Sequence, residues 1–526
     1  MNTGFNSIRK AIILASAALA LSACSPAPET ITPADPTFTN AAAVQQQFAD
    51  GSLTSVALVE HYLAAIAEHN HQGHNIRAII EVNPEALAIA AELDREREQG
   101  ITRGPLHGMP VVIKANIATA DTMATTAGAK VMEGFITASD AEHIQQLREA
   151  GAIIMGKANL SEWANFRGSN SISGWSGIGG QTRNPHVLTH NPCGSSAGSG
   201  AAVAADFSLL AIGTETDGSI MCPTSVNGVV GIKSTRGSVA GHGIIPIAAA
   251  QDIAGPMARY VYDAALLLDG MATAEARTRF GMPLSEAAQQ PFTGESVVLV
   301  RSYDQRFTSV QALTNQVAEA LRSNGVEVIE VTEWNLPSEL GQAELEVLVY
   351  EFKRDLEQWF ADFDAPVQTM QEVIDYNLAN ADTELALFGQ EYFDIAAAVD
   401  LEANKPSYEA ALALSRELAE GHLNRYLQDL GAAAIIIPAY GPSWPIPPVE
   451  GPGYSFGTST AAAVSGYPAI TIPGGKEGPL PVGLSMIGLP WSEAQLVSLA
   501  SMLESELGGF QQPLFLPELP ATNAED

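Results

Sequence analysis

The sequence predicts an α/β fold, in which a sheet is layered with helices. Segments typical of strands and of helices alternate from residue 105 to residue 235, which is the pattern of α/β sheets. The alternation resumes with the strand SVVLVRSY, a helix near Leu313 to Ser323 and the strand VEVIEVTEW. At 526 residues and 46% hydrophobic content, the chain can bury a large core. We therefore expect one large α/β unit.

The first 23 residues resemble a bacterial lipoprotein signal peptide. Arg9 and Lys10 precede the apolar run AIILASAALALSA, which is too short to span a bilayer and ends in small residues. The sequence LSAC, residues 21–24, resembles a lipobox, which implies cleavage before Cys24 and lipidation of its thiol. An ordinary signal peptide that is cleaved near Ala23 is the alternative. Both interpretations predict export.

Residues 24–38 are predicted to form a tether to the domain at 39–526. They are rich in proline and polar residues and have no periodicity. Ser25 after the lipidated Cys24, where aspartate would retain a lipoprotein at the inner membrane, predicts the periplasmic side of the outer membrane in a Gram-negative host. The formal charge of −33 disfavours nucleic acid and anionic membranes as partners. Membrane contact is therefore expected only through the lipid anchor.

The predicted domain begins with two helices. Apolar residues from Val56 onward recur at helical spacing behind a cap at Thr54. Asn83-Pro84 begins a second helix that runs through about Glu98. A short strand between Leu106 and Ile117, a helix capped by Asp140 that runs to about Ala150, and the buried strand GAIIMG follow.

The carboxyl-terminal half is predicted to return to strands after a helical segment. Residues 345–430 are mainly helical and acidic in pattern. The final elements are the strand AAAIIIP, the helix TSTAAAVSG, the strands PAITIPG and GLSMIGL, and an amphipathic helix from Ser492.

The stretch from Cys193 to Gly237 contains the main candidates for chemistry. It reads as loop, helix, strand and loop, and it places Ser195 and Ser219 in glycine-flanked turns. Small residues in such turns allow backbone N–H groups to converge on one point, as a developing oxyanion requires. A close-packed turn without chemistry is the alternative.

Several spaced motifs resemble the amidase signature family. GSSAGSGAAVAA, GTETDGSI and GVVGIKSTRG carry the resemblance, and GGQTRNPH and GIIPIAAAQDIAGPMAR are similar to the peptide amidase branch. The resemblance implies a single domain with a large mixed central sheet covered by helices on both faces. Because motifs lie at 39–280 and 431–526, a mostly helical insertion is expected at about 280–430.

The resemblance also implies the roles of individual residues. Ser219 would be the nucleophile, Lys114 the base, and Ser195 the serine between them, which the family holds after a cis peptide bond. The backbone N–H groups of Thr216, Asp217, Gly218 and Ser219 would form the oxyanion hole. Lys114 ends the apolar run PVVIK, so burial is expected to lower its pKa from about 10.4 and favour a neutral amine. No cofactor or metal is implied.

Four residues depart from the common family pattern. Glu215 and Asp217 stand where many members have aspartate and glycine, and this version is shared by the peptide amidase branch. Ala115 replaces the usual aspartate after the lysine and is expected to loosen hydrogen bonding around it. Met221 stands where many members carry arginine.

The predicted reaction is hydrolysis of a primary amide to an acid and ammonia through an acyl ester on Ser219. C-terminal amides of peptides are the expected substrates, and a small-molecule amide is the other possibility. A fatty acid amide or aryl-acylamide hydrolase with the same three residues is the alternative, whereas export argues against a subunit that supplies ammonia to a tRNA-charging partner. Trp175, Trp444 and Tyr454 are candidates for the wall of the acyl pocket.

Two further hypotheses lie outside this family. Residues 194–198 satisfy G-x-S-x-G, which is typical of an α/β-hydrolase with Ser196 as nucleophile and His242 or His422 as its histidine. The second hypothesis is a non-catalytic metal-binding protein, which is suggested by the nearby histidines His69, His71 and His74. No thiol or second ligand group stands at a known spacing from them.

Cys193 and Cys222 lie within three residues of the two candidate serines. In an oxidising compartment they are able to form a disulfide. The favoured interpretation is two small buried apolar side chains without a bond.

Overall fold

The computed structural model describes residues 40–446 and 454–520. The predicted signal peptide 1–23, the lipidation site Cys24 and the tether 24–38 lie outside the described residues. Within the described ranges, none of the helices combines the length and apolar character that a membrane span requires.

The strands of the described residues form one large sheet and one small ribbon. They are β1 (Ile79–Val82), β2 (Pro110–Lys114), β3 (Ile153–Ala158), β4 (Trp175–Ser176), β5 (Gly180–Gln181), β6 (Leu210–Glu215), β7 (Val230–Lys233), β8 (Ile253–Ala258), β9 (Ser296–Val300), β10 (Glu327–Val331), β11 (Ile435–Pro438), β12 (Ala469–Glu477) and β13 (Leu480–Ile487).

The large sheet has eleven strands in the described ranges, in the order β1-β3-β2-β6-β8-β7-β12-β13-β11-β9-β10. Its strands β3, β2 and β6 run parallel, as do β11, β9 and β10, whereas the central pairings are antiparallel. The predicted mixed sheet is therefore confirmed. Among the described residues, strands β4 and β5 form a separate two-stranded ribbon.

Helices pack on the sheet and between its connections. They are α1 (Ala41–Asp50), α2 (Ser55–His69), α3 (Ala86–Glu98), α4 (Glu142–Glu149), α5 (Ala197–Ala204), α6 (Met221–Asn227), α7 (Val261–Met271), α8 (Ala274–Phe280), α9 (Leu284–Ala287), α10 (Thr308–Ser323), α11 (Leu340–Asp362), α12 (Met370–Ala379), α13 (Ala381–Glu384), α14 (Glu391–Ala397), α15 (Lys405–Leu427), α16 (Thr460–Ser465) and α17 (Glu493–Leu507).

One predicted helix start is correct and another is wrong. The Thr54 side chain accepts a hydrogen bond from the Ala57 N–H and caps α2, as the sequence predicts. Asp140 does not cap α4, which begins at Glu142 without a side-chain cap. The Asp140 carboxylate instead accepts from the Ala120 N–H and pairs with Arg148, so it holds the preceding loop.

The segment at about 280–430 is not a separate helical body. Its strands β9 and β10 extend the edge of the large sheet, as the strand-like patterns of SVVLVRSY and VEVIEVTEW predict. Its helices α11 and α14 share a hydrophobic cluster with Trp163 and Phe166 of the motif-bearing part of the chain. In that cluster the Trp163 ring meets Phe360 and Phe393 edge to face. The insertion is thus packed into the domain as one of its walls.

Candidate active site

Lys114 reaches the candidate serines because of the sheet topology. It is the last residue of β2, and β2 runs parallel to β6, with Ile113 opposite Ile212. Parallel neighbours end at the same edge of a sheet, so Lys114 lies beside Thr214 near the end of β6. Its Nζ donates to the carbonyl oxygen of Thr214 at 3.1 Å and to Thr214 Oγ1 at 2.8 Å.

The third contact of the Lys114 amine is with Ser195. Nζ lies 2.7 Å from Ser195 Oγ, and both side chains are fully buried. Burial lowers the pKa of Lys114 to about 7, against the opposing charges of Asp252 and Glu215. A neutral amine has two N–H donors and one lone pair. The two Thr214 oxygens match the donors, so the lone pair of the neutral form is directed at the Ser195 hydroxyl.

The loop before α5 holds Ser195 in place. The Gly194–Ser195 peptide bond is cis, as the resemblance implies. The Ser195 carbonyl accepts from the Ser161 N–H at 3.0 Å, and the Ser196 N–H donates to the Ser219 carbonyl at 3.2 Å. The loops of the two candidate serines are therefore joined through their backbones.

The turn between β6 and α6 carries Ser219. Glu215 closes this turn, because its Oε2 accepts from the Ile220 N–H at 2.7 Å and from the Met221 N–H at 2.9 Å. Gly218 has φ of +77°, and a Cβ there would lie 2.1 Å from the Tyr440 hydroxyl oxygen. The turn therefore needs glycine both for its conformation and for the space beside Tyr440.

Side chains of the turn are anchored to two other segments of the chain. The Asp217 carboxylate accepts from Ser459 Oγ at 2.5 Å and from Thr460 Oγ1 at 2.7 Å. Thr216 Oγ1 donates to Asp252 Oδ1 at 2.5 Å. Burial raises the pKa of Asp217, and it raises the pKa of Asp252 to about 7. These bonds fix the backbone between Thr216 and Ser219, where the resemblance places the oxyanion hole.

The turn opens into a cavity. All four predicted oxyanion-hole residues line it, and so do Cys193 and Cys222. Ser219 is 7% exposed, whereas Lys114 and Ser195 are 0% exposed. Of these three residues, Ser219 is the one placed to meet a substrate.

The two departures next to the catalytic candidates are accommodated locally. The Ala115 carbonyl accepts from the N–H groups of Thr126 and Ala127, and Asn116 Nδ2 donates to Thr214 Oγ1 at 3.1 Å. Hydrogen bonds around Lys114 are therefore supplied without the usual aspartate. Met221 Sδ accepts from Thr471 Oγ1 at 3.0 Å.

Cys193 and Cys222 form a disulfide, so the favoured interpretation as two unbonded apolar side chains is wrong. Their Cα atoms are 5.9 Å apart, within the range for a disulfide. The pairing depends on α6 folding back onto the Ser195 loop, which the local sequence around either cysteine does not show.

Ser196 is not a nucleophile elbow. Its hydroxyl donates to the Thr214 carbonyl at 3.0 Å and accepts from the Thr214 N–H at 3.1 Å, so it ties the Ser195 loop to β6. The two candidate histidines pack elsewhere: the His242 ring lies against Phe363 and the His422 ring against Trp334. The α/β-hydrolase hypothesis is therefore wrong.

Two of the three clustered histidines belong to a stack of rings. His69 stacks on His74, with centroids 4.4 Å apart, and His74 stacks on Phe515 at 4.2 Å. Within residues 40–446 and 454–520, no group of three or more histidine, cysteine or acidic side chains is arranged to hold a metal ion.

Several residues that line the cavity were not predicted from the sequence. Tyr454 lines it as predicted, whereas Trp175 and Trp444 are not among its lining residues. Trp175 packs instead on Phe388. The lining that the sequence did not predict includes Asn165, Phe166, Ile247, Leu348, Tyr392 and Tyr440.

Comparison with known proteins agrees with this architecture. The sequence profile of the Amidase family matches residues 57–497. A probable amidase of Arabidopsis thaliana is 36% identical over 483 residues, which are 88% of this chain and 88% of that protein. The crystal structure of native peptide amidase from Stenotrophomonas maltophilia is 42% identical, has a TM-score of 0.85 and covers 91% of this chain and 98% of its own.

A second crystal structure shows a peptide amidase with the competitive inhibitor chymostatin, and it matches with 42% identity and a TM-score of 0.86 over 91% of this chain and 99% of its own. The match of the family profile extends across both sides of the helical insertion. The chain therefore belongs to the amidase signature family and is a hydrolase of amide carbon–nitrogen bonds.

Proposed function

We propose that this amidase hydrolyses primary amides, foremost the C-terminal amides of peptides, through an acyl ester on Ser219. The observation that carries the proposal is the 2.7 Å contact between the buried Lys114 amine and Ser195 Oγ, in a loop joined by backbone to that of Ser219. Ser219 itself faces the cavity. These positions suit a relay in which each hydroxyl passes a proton toward the amine.

In the proposed reaction, Ser219 Oγ attacks the amide carbon and its proton passes through Ser195 to the neutral Lys114. The backbone N–H groups of Thr216 to Ser219 stabilise the oxyanion. The proton returns through Ser195 to the leaving nitrogen, so ammonia departs and the acyl ester remains. Water then attacks the ester by the same relay, which yields the acid and restores Ser219.

The preference for peptide amides is supported by the likeness to a peptide amidase over nearly the whole chain. It is also supported by a cavity with both apolar and polar walls, which suits a substrate that carries backbone amides beside its side chain. Hydrolysis of fatty acid amides or anilides is the competing outcome of the test below.

We also propose that the enzyme is exported and held at the cell envelope by lipid on Cys24. The lipobox-like sequence supports this proposal. The disulfide supports it too, because disulfides persist in oxidising compartments such as the periplasm.

Ammonia release from a panel of amidated peptides, fatty amides and anilides tests the proposal. Release mainly from peptide amides, lost in Ser219→Ala and reduced at least about 100-fold in Lys114→Ala, is the expected result. Ser208→Ala is the matched control, because its hydroxyl is buried but bonds the Leu210 carbonyl away from the cavity.

Two results would contradict the proposal in different ways. Full turnover in the Ser219 and Lys114 variants would overturn the mechanism. A preference for fatty amides or anilides that still depends on Ser219 would keep the mechanism and replace the substrate.

A further inference from the structure

The helical insertion supplies an aromatic part of the cavity wall. Tyr392 of α14 and Leu348 of α11 line the cavity together with Phe166, which lies in the loop after β3. The rings of Phe166 and Tyr392 are stacked, with centroids 4.5 Å apart and an interplanar angle of 7°. Phe352 of α11 supports Phe166 edge to face at 5.2 Å. One wall is thus shared between the insertion and the motif-bearing part of the chain.

Arg167, the neighbour of Phe166, holds the insertion at this point. Its Nη2 donates to the Phe388 carbonyl at 3.1 Å and its Nε to the Gly389 carbonyl at 3.2 Å. Its guanidinium also lies 3.9 Å above the Phe388 ring. In return, the Tyr392 N–H donates to the Arg167 carbonyl at 3.1 Å. The segment that leads into Tyr392 is therefore fixed by one side chain and its own backbone.

Glu162 completes the arrangement from the other side. Its Oε1 accepts from Arg167 Nη1 at 2.5 Å, and its Oε2 accepts from the Gly177 N–H at 2.7 Å. Arg167 is 0% exposed and Glu162 is 1% exposed. A buried ion pair is costly to break because the remaining charge loses its partner. Arg167 is thus held in one orientation, with its fork directed at the two carbonyls of the insertion.

The backbones of the two loops also lie in close contact at Gly168. A Cβ on Gly168 would lie 2.5 Å from the Gly389 carbonyl oxygen and 2.7 Å from Glu391 Oε2. The Ser169 N–H donates to that same Glu391 oxygen at 3.0 Å. Direct contacts between the two loops therefore support the position that Arg167 gives to Tyr392 relative to Phe166.

We infer that Arg167 is a positioning residue that holds Tyr392 against Phe166, and that this stacked pair selects amides whose acyl group carries a large apolar or aromatic side chain. This inference rests on the proposed function. A rigid aromatic face binds flat apolar groups with an added preference over its buried area. Leu348 and Ile247 add apolar side chains to the lining of the same cavity.

The test compares an N-acylated phenylalanine amide with an N-acylated glycine amide. In Tyr392→Ala and in Arg167→Lys, the ratio of kcat/KM for the two amides is expected to fall about two- to tenfold, which is the range that an aromatic contact supplies. Lysine keeps the charge of Arg167 but lacks the fork that reaches three acceptors. Because Arg167 acts through Tyr392, Arg167→Lys in the Tyr392→Ala background should lower the ratio no further.

Arg259→Lys is the matched control. Like Arg167, Arg259 is buried, pairs with a carboxylate, that of Asp206, and donates to a backbone carbonyl, that of Val203, at 3.1 Å. It also lies near an aromatic ring, that of Phe510. Unlike Phe166 and Tyr392, which Arg167 adjoins, Arg259 does not line the cavity. Its replacement should lower the melting temperature and leave the ratio unchanged. If Arg167 had only a structural role, Arg167→Lys would likewise lower the melting temperature and leave the ratio unchanged.

The same ratio is measured as Kd in a Ser219→Ala background, so that binding is tested without turnover. The positioning role of Arg167 would be overturned if Arg167→Lys left the ratio unchanged. An equal loss of affinity for both amides leaves the ratio unchanged and would have the same meaning. An unchanged ratio in Tyr392→Ala, or no binding of either amide, would overturn the selective wall. If the Ser219→Ala protein shows the Kd preference but the wild type releases no ammonia from either amide, this result would count against the proposed reaction and not against this inference.

Discussion

Lys114, the proposed base, illustrates at the scale of one residue how burial changes the chemistry of an amine. Its amine lies in the interior, where the ammonium form loses hydration, and its pKa falls to about 7. Asp252 and Glu215 raise that pKa, so these two carboxyl groups limit the fall. The amine is therefore balanced between its charged and neutral forms near neutral pH, where a general base is most effective.

The pH dependence of activity follows from this balance. Only the neutral amine accepts a proton, so kcat/KM is expected to rise as the pH increases through about 7. Glu215→Gln removes a negative charge that raises the pKa of Lys114, and the amide oxygen still accepts from Ile220 and Met221. The acidic limb of the profile should therefore move to lower pH.

Glu504→Gln is the control for this experiment. Glu504 is a carboxyl group of α17 that accepts from the Val261 N–H, and it does not contribute to the pKa of Lys114. Its replacement should leave the limb in place. A profile without a limb near pH 7, or a limb that Glu215→Gln leaves unmoved, would contradict the role of Lys114 as base.

At the scale of elements, the site is built where a loop, a strand end and a short helix meet. The Ser195 loop is bonded to β6 by Ser196, and the Ser219 turn is closed onto α6 by Glu215. The disulfide between Cys193 and Cys222 adds a covalent link between that loop and that helix. A misplacement of about 1 Å would disturb the proposed proton relay, so we expect the disulfide to help keep the Ser195 loop and α6 in place.

We expect the disulfide to contribute about 2–4 kcal/mol to stability, because it closes a loop with a sequence separation of 29 residues in the unfolded chain. The double variant Cys193→Ser/Cys222→Ser should therefore melt at a lower temperature than the wild type. A dithiol reductant should lower the wild-type melting temperature toward that of the variant.

The double variant is its own control, since reductant should not change its melting temperature. Alkylation of both Cys193 and Cys222 in unreduced, denatured wild-type protein would contradict the disulfide.

At the scale of the whole molecule, the eleven-stranded sheet of the described residues supports the site on one side and the insertion covers it from another. Strands β9 and β10 fasten the insertion to the sheet, and the cluster around Trp163 and Phe360 packs its helices beside the cavity. The part of the sequence that carries none of the family motifs thus supplies part of the cavity wall. The motif-bearing part carries the candidate catalytic residues Lys114, Ser195 and Ser219.

The proposed anchoring also belongs to this scale. In a Gram-negative expression host, Cys24→Ala should move the protein from the membrane fraction to a soluble or unprocessed form, because the thiol that receives lipid is lost. Ser25→Asp keeps that thiol and should move the protein from the outer to the inner membrane. Membrane fractionation with detection of the protein distinguishes these outcomes, and a Cys24→Ala variant that stays with the outer membrane would contradict the anchor.

Much of the architecture was determined by local sequence. The apolar runs of β2 and β3, the helical periodicity behind Thr54 and the amphipathic pattern after Ser492 each specify an element through short-range periodicity. The spaced glycine-serine motifs identified the family and placed Lys114, Ser195 and Ser219 in one predicted site. Because each of these signals lies within one short segment, it can be recognised without knowing which segments meet.

Only the tertiary structure decided the contacts between distant segments. The Cys193–Cys222 bond, the use of Ser196 to hold β6 and the stacking of Phe166 on Tyr392 each join residues whose proximity depends on the folding of other elements. Asp140 shows the same effect, since a typical capping residue is drawn to Ala120 and Arg148 instead. Local sequence determines which elements form, whereas the free energy of burying their surfaces together determines which side chains share the site.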